Sequence, residues 1–201
     1  MNFKKERTYV MIKPDGVKKG LTGEVIARLE RAGLKLVALK MVEAEDEVLG
    51  KHYQSENEEY LKSLGNKTLK TYKEYNKDAK ADLGTDDPLA LGHMIMGWLL
   101  DYIKSGPLVA MIFEGMHAVN NVRTIAGPTM PVDAPGGTIR GDFSLDSAAY
   151  ANMEKRGVAN IIHASGSPEE AEVEIGLWFS PTEIYEYKSA HDLLSEHTFK
   201  K

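Results

Sequence analysis

The stretch NIIHASGS, residues 160–167, closes an apolar run on an ionisable ring, His163. An imidazole with an ordinary pKa of about 6.5 is mostly neutral at pH 7. One ring nitrogen then carries a lone pair for an electrophile while the other donates a hydrogen bond. A carboxylate accepting that N–H would fix the tautomer and offset positive charge on a phosphorylated ring. Glu174 is the candidate: it lies one turn beyond Glu170, and the spacing places it opposite the apolar stripe Ala171–Ile175–Trp178. Phosphate chemistry also needs cations that hold oxygen atoms without losing charge, for which the forked donors of arginine are suited. Arg123 falls on the polar side of a short helix, away from Val119, Val122 and Ile125. Arg140 lies in the Gly-rich APGGTIRGDF, and Lys13 ends an apolar run just before Pro-Asp-Gly. Each alone is more often a solvated surface charge; together they fall at element ends.

The elements that must carry these residues are legible in outline. RTYVMIK (7–13) reads as a strand and PDG (14–16) as a turn. LTGEVIARLERAG (21–33) places Leu21, Val25, Leu29 and Ala32 on one helical face, with Gly33 suited to the position past its end. LKLVALKMVE (34–43) reads as a second strand, and PLVAMIFEG (107–115) as a strand buried on both faces. HAVNNVRTIAG (117–127) is a short helix stopped by Gly127 and Pro128, and GVANIIH (157–163) is a fourth strand. SPEEAEVEIGLWF (167–179) opens with Ser167 as N-cap, Pro168 at N1 and Glu170 completing a capping box.

The order is accommodated by an α/β (α+β) fold: a ferredoxin-like β-α-β-β-α-β antiparallel sheet with covering helices. The expected organisation is one domain over 1–201, with a helical insertion at about 54–104 and a short insertion at about 146–157. In the first, Asp87–Pro88 opens a helix whose Ile95, Trp98, Leu99 and Tyr102 share a face.

Composition narrows the chemistry. The chain has no Cys, which excludes disulfides, thiol catalysis and Cys-ligated zinc. Its formal net charge of −5 disfavours general nucleic-acid binding. No apolar run approaches the roughly 18–20 residues of a membrane span, and the N-terminus has no secretory signal pattern, so cytoplasmic residence is expected. No G-x-x-x-x-G-K-[ST] occurs, and GVKKGLTG (16–23) resembles a phosphate loop only loosely. The tripeptide RGD (140–142) matches a cell-adhesion signal by letters alone.

YVMIKPDGV (9–17), SGPLVAMIFEG (105–115), GTIRGDF (137–143), NIIHASGS (160–167) and EIGLWFSPTEI (174–184), in that order, resemble nucleoside diphosphate kinases. The resemblance covers most of residues 6–188 apart from the two insertions. It implies that His163 is transiently phosphorylated, that Lys13 contacts the γ-phosphate, and that Arg123, Thr129 and Arg140 contact phosphates. Asn160 would contact the sugar, Ser165 and Glu174 would support the histidine, and Tyr53 would lie near it. The aromatic that covers the base would be Tyr60, with Leu61 an equally ungapped choice. Residue 130 is Met where the family pattern has Asn.

The resemblance further implies ping-pong transfer between nucleoside tri- and diphosphates, broad in base and sugar. Mg²⁺ would be held mainly through substrate phosphates, with no protein metal site. A homo-oligomer, hexamer or tetramer, is implied, with no membrane and no nucleic acid required. Two other readings stay open: a non-catalytic nucleotide-binding regulatory module on the same fold, and a histidine phosphocarrier or phosphatase.

Overall fold

The computed structural model describes residues 5–193. In chain order the elements are β1 (Glu6–Ile12), α1 (Pro14–Lys18), α2 (Thr22–Arg31), β2 (Lys35–Val42) and α3 (Asp46–His52). Then come α4 (Glu58–Glu74), α5 (Ala79–Leu83), α6 (Pro88–Ile103), β3 (Leu108–Gly115) and α7 (Ala118–Ala126). The chain continues through α8 (Ile139–Phe143), α9 (Ala148–Met153), β4 (Ile162–Ala164) and α10 (Pro168–Trp178).

The strands form one sheet in the order β2-β3-β1-β4, every neighbouring pair antiparallel. This is the ferredoxin-like arrangement, with helices on both faces. Because side chains alternate along a strand, Val10 and Ile12 of β1 face one core while Tyr9 and Met11 face the other. In β3, Val109, Met111 and Phe113 join the first core, and Leu108, Ala110 and Ile112 the second. Val25 and Leu29 of α2 and Val122 of α7 cover the first face. Leu49 of α3, Ile103 of α6 and Trp178 of α10 cover the second. Double coverage explains why the two central strands read as nearly continuous apolar runs.

Between β2 and β3, α4, α5 and the start of α6 build a further packing unit beyond the helices that cover the sheet. Helices α4 and α6 cross backbone to backbone: a Cβ on Gly65 would lie 1.9 Å from the Pro88 carbonyl oxygen, and one on Gly92 2.1 Å from that of Leu61. Only glycine fits either position. Tyr72, Ala79, Leu83 and Leu91 form a small separate core there. Asp87 caps α6, its carboxylate accepting from the Ala90 amide at 2.7 Å. No helix among the described residues is long and apolar enough to cross a membrane.

Local readings of the sequence differ from the fold at four places. The Pro-Asp-Gly stretch is the first turn of helix α1, with Pro14 at its start, where proline's missing N–H costs nothing. Strand β4 is only Ile162–Ala164; residues 157–161 leave the sheet, and Ile161 adopts φ +66°. Ser167 does accept from the Glu170 amide at 3.2 Å, but the Glu170 carboxylate takes the Gly166 amide at 2.6 Å, so the reciprocal arm of a capping box at Ser167 is missing. Finally, Glu174 lies on the buried face of α10 with Ala171 and Trp178. The apolar stripe seen in the sequence is interrupted by a carboxylate turned inward.

Candidate active site

Helix α10 packs across β1, and that packing builds the histidine's surroundings. His163 in β4 pairs with Met11 of β1. Its Nε2 lies 2.7 Å from Glu174 Oε1, and since a carboxylate only accepts, Nε2 carries the proton. The other carboxylate oxygen accepts from the Ser165 hydroxyl at 2.6 Å. Ser165 Oγ in turn accepts from the Tyr9 amide at 3.1 Å. Strand β1, β4 and α10 therefore fix one carboxylate orientation and with it one imidazole tautomer. Nδ1 of His163 forms no hydrogen bond to a described residue and is left with its lone pair.

Burial first, then the nearby cations Lys13, Arg140 and Arg123, push the His163 pKa down to about 3. The ring is neutral at physiological pH, as a nucleophile requires. Burial raises the pKa of Glu174, while His52 and the Ser165 hydroxyl oppose that rise.

A second histidine beside the site, His52, was not singled out in the sequence. The side chain of this last residue of α3 is fully covered, and its ring centroid lies 4.5 Å from that of His163 at 70°. Trp178 Nε1–H donates to its Nδ1 at 3.3 Å, and Tyr9 stacks on Trp178 with centroids 5.7 Å apart. Burial and the neighbouring His163 lower the His52 pKa to about 3. The available signal was helical spacing: Leu49 and His52 are three apart, on one face of α3. Tyr53 is beside it, with its ring centroid 6.4 Å from His163. Its hydroxyl is buried without a hydrogen-bond partner among the described residues.

The phosphate-handling candidates converge above the histidine. Lys13 is the N-cap of α1 and donates from Nζ to Asn160 Oδ1 at 2.7 Å. Asn160 Nδ2 donates to the Thr129 carbonyl at 2.9 Å. Burial, reinforced by Arg140, lowers the Lys13 pKa to about 7. Arg140 is 8% exposed and donates to three backbone carbonyls: Asn160 at 3.3 Å, Gly127 at 2.6 Å and Ile162 at 2.6 Å. A guanidinium has five N–H donors, so Arg140 ties α7 to the β4 segment and retains two. Its own pKa falls to about 10 through burial and the neighbouring Arg123. Arg123 is exposed, and its guanidinium makes no ion pair or hydrogen bond with a described residue.

The left-handed turn at Ile161 is what brings Asn160 to Lys13. A β-branched residue there is strained by about 1–3 kcal/mol. Flanking contacts hold it: Lys13 N–H donates to the Ile161 carbonyl at 2.8 Å, and Ile161 N–H donates to Asp15 Oδ2 at 3.1 Å. The other oxygen of Asp15 accepts from the Tyr102 hydroxyl. Gly16 packs directly beneath, where a Cβ would meet Ile12 Cγ2 at 2.8 Å and the Ile161 carbonyl at 3.0 Å. Lys13, Asp15 and Gly16 of the KPDG motif thus all serve this turn.

A cavity of about 410 Å³ joins these groups. Lys13, Arg123, Thr129, Arg140, Asn160 and His163 line one part of it. Tyr60 and Leu64 of α4, Ile95 and Leu99 of α6, Met130, and Asn152 of α9 also line it. Tyr60 faces the cavity, whereas Leu61 is fully buried under the α4–α6 crossing. Glu174 and Ser165 lie behind the histidine rather than in the cavity wall. The one His/Asp/Glu group close enough to share a metal ion, among the described residues, is His52, His163 and Glu174. Its imidazoles do not suit Mg²⁺, which prefers oxygen ligands.

A cavity that joins a buried neutral imidazole of fixed tautomer to converging cations suits the chemistry of a phosphotransferase. The family model described as nucleoside diphosphate kinase matches residues 6–68 and 92–184. A nucleoside diphosphate kinase of Pyrobaculum aerophilum is 51% identical over 90% of this chain and 98% of that protein. Nucleoside diphosphate kinase B of Rattus norvegicus is 41% identical over 95% of this chain and 97% of its own. The crystal structure of an NDP kinase from Pyrobaculum aerophilum superposes with a TM-score of 0.86 at 49% identity, covering 90% of this chain and all of that one. A Borrelia burgdorferi nucleoside-diphosphate kinase, solved as a transition-state mimic with bound vanadate and ADP, gives 0.75 at 32% identity over 99% of this chain and all of that one. The chain belongs to the nucleoside diphosphate kinase family.

Proposed function

We propose that the chain transfers the γ-phosphoryl group of a nucleoside triphosphate to a nucleoside diphosphate by way of phosphorylated His163. The observation that carries the reading is the tautomer. Glu174 holds Nε2–H at 2.7 Å, which leaves Nδ1 as the nucleophilic atom. Nδ1 attacks the γ-phosphorus, the bond from that phosphorus to the β–γ bridging oxygen breaks, and the diphosphate departs. A second diphosphate reverses the sequence through its own β-phosphate oxygen. The transferred group carries dispersed negative charge in a loose transition state, which Lys13, Arg123 and the two free donors of Arg140 would stabilise. Glu174 offsets the positive charge that develops on the ring, and Ser165 and Tyr53 position that pair.

At the other end of the cavity Tyr60 would stack on the base, while Asn160 and Thr129 would hold sugar and phosphate. Because the phosphate end holds the charged groups and the base end is largely apolar, broad use of bases and of ribose and deoxyribose follows. A divalent cation, Mg²⁺ in the cell, would arrive bound to the substrate's phosphate oxygens, since the cavity has no carboxylate cluster to hold it. The same reading makes the chain one domain carrying insertions at 54–104 and 146–157. The unmatched stretch 69–91 falls inside the first. It also makes the protein a cytoplasmic homo-oligomer, hexamer or tetramer. Leu39 and Met41 on the edge strand β2 are 48% and 59% exposed, which supports assembly.

The test is to mix purified protein with γ-labelled ATP and no acceptor, then add GDP. An acid-labile, alkali-stable label that GDP discharges and that His163→Ala lacks is the expected result. Full exchange activity in a pure His163→Ala sample overturns the proposal.

A further inference from the structure

The insertion between α8 and β4 delivers α9 to the base end of the cavity. Its ends are fastened: Arg156 donates to the Asp146 carboxylate at 2.6 and 3.0 Å, and Asp146 also accepts from the Ala159 amide at 2.7 Å. Ser147 caps α9, accepting from the Tyr150 amide at 3.2 Å, and α9 packs against α4. The buried residues of α9 are Ala151 and Asn152.

Two polar residues of this insertion line the cavity, Asn152 and Arg156. The Arg156 guanidinium is already committed to Asp146 and to the Gly157 carbonyl at 2.9 Å. Asn152 differs. It is 6% exposed, yet its carboxamide forms no hydrogen bond with any described residue. Its oxygen and nitrogen are not among the fully buried polar atoms that lack a partner, so both stay reachable from the cavity. Here it faces a cavity whose neighbouring wall is Leu64, Ile95, Leu99 and Met130.

We propose that Asn152 reads the Watson–Crick edge of the bound nucleobase and so keeps the site open to every common base in the reaction proposed above, on which this inference rests. A carboxamide has a donor beside an acceptor and can rotate to exchange them. The Watson–Crick edge of every common base likewise sets a donor beside an acceptor, so one side chain serves all of them. The Hoogsteen edge does not fit this requirement: guanine presents two acceptors there.

Replacing the carboxamide with a carboxylate removes the donor and breaks this tolerance. Guanine alone offers two adjacent donors, N1–H and N2–H. The experiment uses enzyme first phosphorylated by ATP and measures kcat/KM for discharge by GDP and by ADP. Asn152→Asp is expected to raise the GDP/ADP ratio about tenfold, the scale of one bidentate contact. Asn152→Leu is expected to raise KM for both acceptors while kcat changes less than twofold. Because a ratio of two acceptors cancels the active-enzyme concentration, a poorly folding variant still gives an answer. A GDP/ADP ratio within twofold of the parent in Asn152→Asp, or a lowered one, overturns the inference. Failure of the parent enzyme to accept label from ATP would instead overturn the reading of function, so the two failures are distinguishable.

Discussion

Glu174→Gln separates the charge of the carboxylate from its shape. Glu174 is 3% exposed and accepts two hydrogen bonds, from His163 at 2.7 Å and from Ser165 at 2.6 Å. Glutamine is nearly isosteric. Its carbonyl can still accept from His163 Nε2–H, and its amide can donate to Ser165 Oγ once the hydroxyl turns to the Tyr9 carbonyl, 3.3 Å away. The tautomer is therefore preserved, and what disappears is the negative charge beside a ring that becomes cationic on phosphorylation. A hydrogen bond to a charged group contributes about 1.5–3 kcal/mol against about 0.5–1.5 for a neutral one. The difference of about 1–2 kcal/mol corresponds to a slowing of about 5- to 30-fold. Single-turnover phosphorylation by saturating ATP, followed in a quenched-flow instrument, reads this step directly. A rate constant within twofold of the parent would refute the electrostatic role given to Glu174. A loss beyond a thousandfold with an unchanged melting temperature would refute it in the other sense, by showing that Glu174 does more than offset charge.

Two further predictions follow from the cavity walls. With its pKa near 7 in the free protein, Lys13 is about half neutral at pH 7, and bound polyphosphate restores the charge. Nucleotide binding should then take up about half a proton at pH 7 and nearly one at pH 8, measured by calorimetry in buffers of different ionisation enthalpy; zero uptake at both contradicts the depressed pKa. Gly92→Ala forces a methyl group to within 2.1 Å of the Leu61 carbonyl. It should lower stability by about 1–3 kcal/mol and raise KM by displacing the α6 wall, as read by urea unfolding and steady-state kinetics.

The sequence carried the chemistry further than it carried the geometry. Lys13, Arg123, Arg140 and His163 stood out as candidates because ionisable residues end apolar strands and helices there and the family resemblance picks out the same positions, and the fold brings them to one cavity. The core helix α2 was legible from Val25 and Leu29, and the Gly33 turn at φ +88° follows from glycine's tolerance of that conformation. Glu174 was singled out as the partner of His163, but the spacing put it on the wrong side of the helix, opposite the apolar stripe rather than within it. Placing a carboxylate on a buried face contradicts amphipathic patterning, and only the Ser165 and His163 partners make it stable. Periodicity carries no information about such partners. Ile161 is similar: its residue type argues for continued strand, whereas Asp15 and the Lys13 amide hold it in a left-handed turn. His52 and Asn152 were hidden for a third reason. Each is an ordinary polar residue until α3 and α9 are docked, and docking depends on contacts distant in sequence.

The most direct test of the account concerns which nitrogen is phosphorylated. Glu174 engages Nε2 and leaves Nδ1 toward the cavity. Phosphorus NMR of the isolated phosphoprotein, compared with the two phosphohistidine isomers, should show phosphate on Nδ1 of His163 alone. Phosphate on Nε2 would require the 2.7 Å hydrogen bond to break and would contradict the assigned tautomer, and a phosphoprotein with no phosphohistidine would contradict the proposed mechanism as a whole.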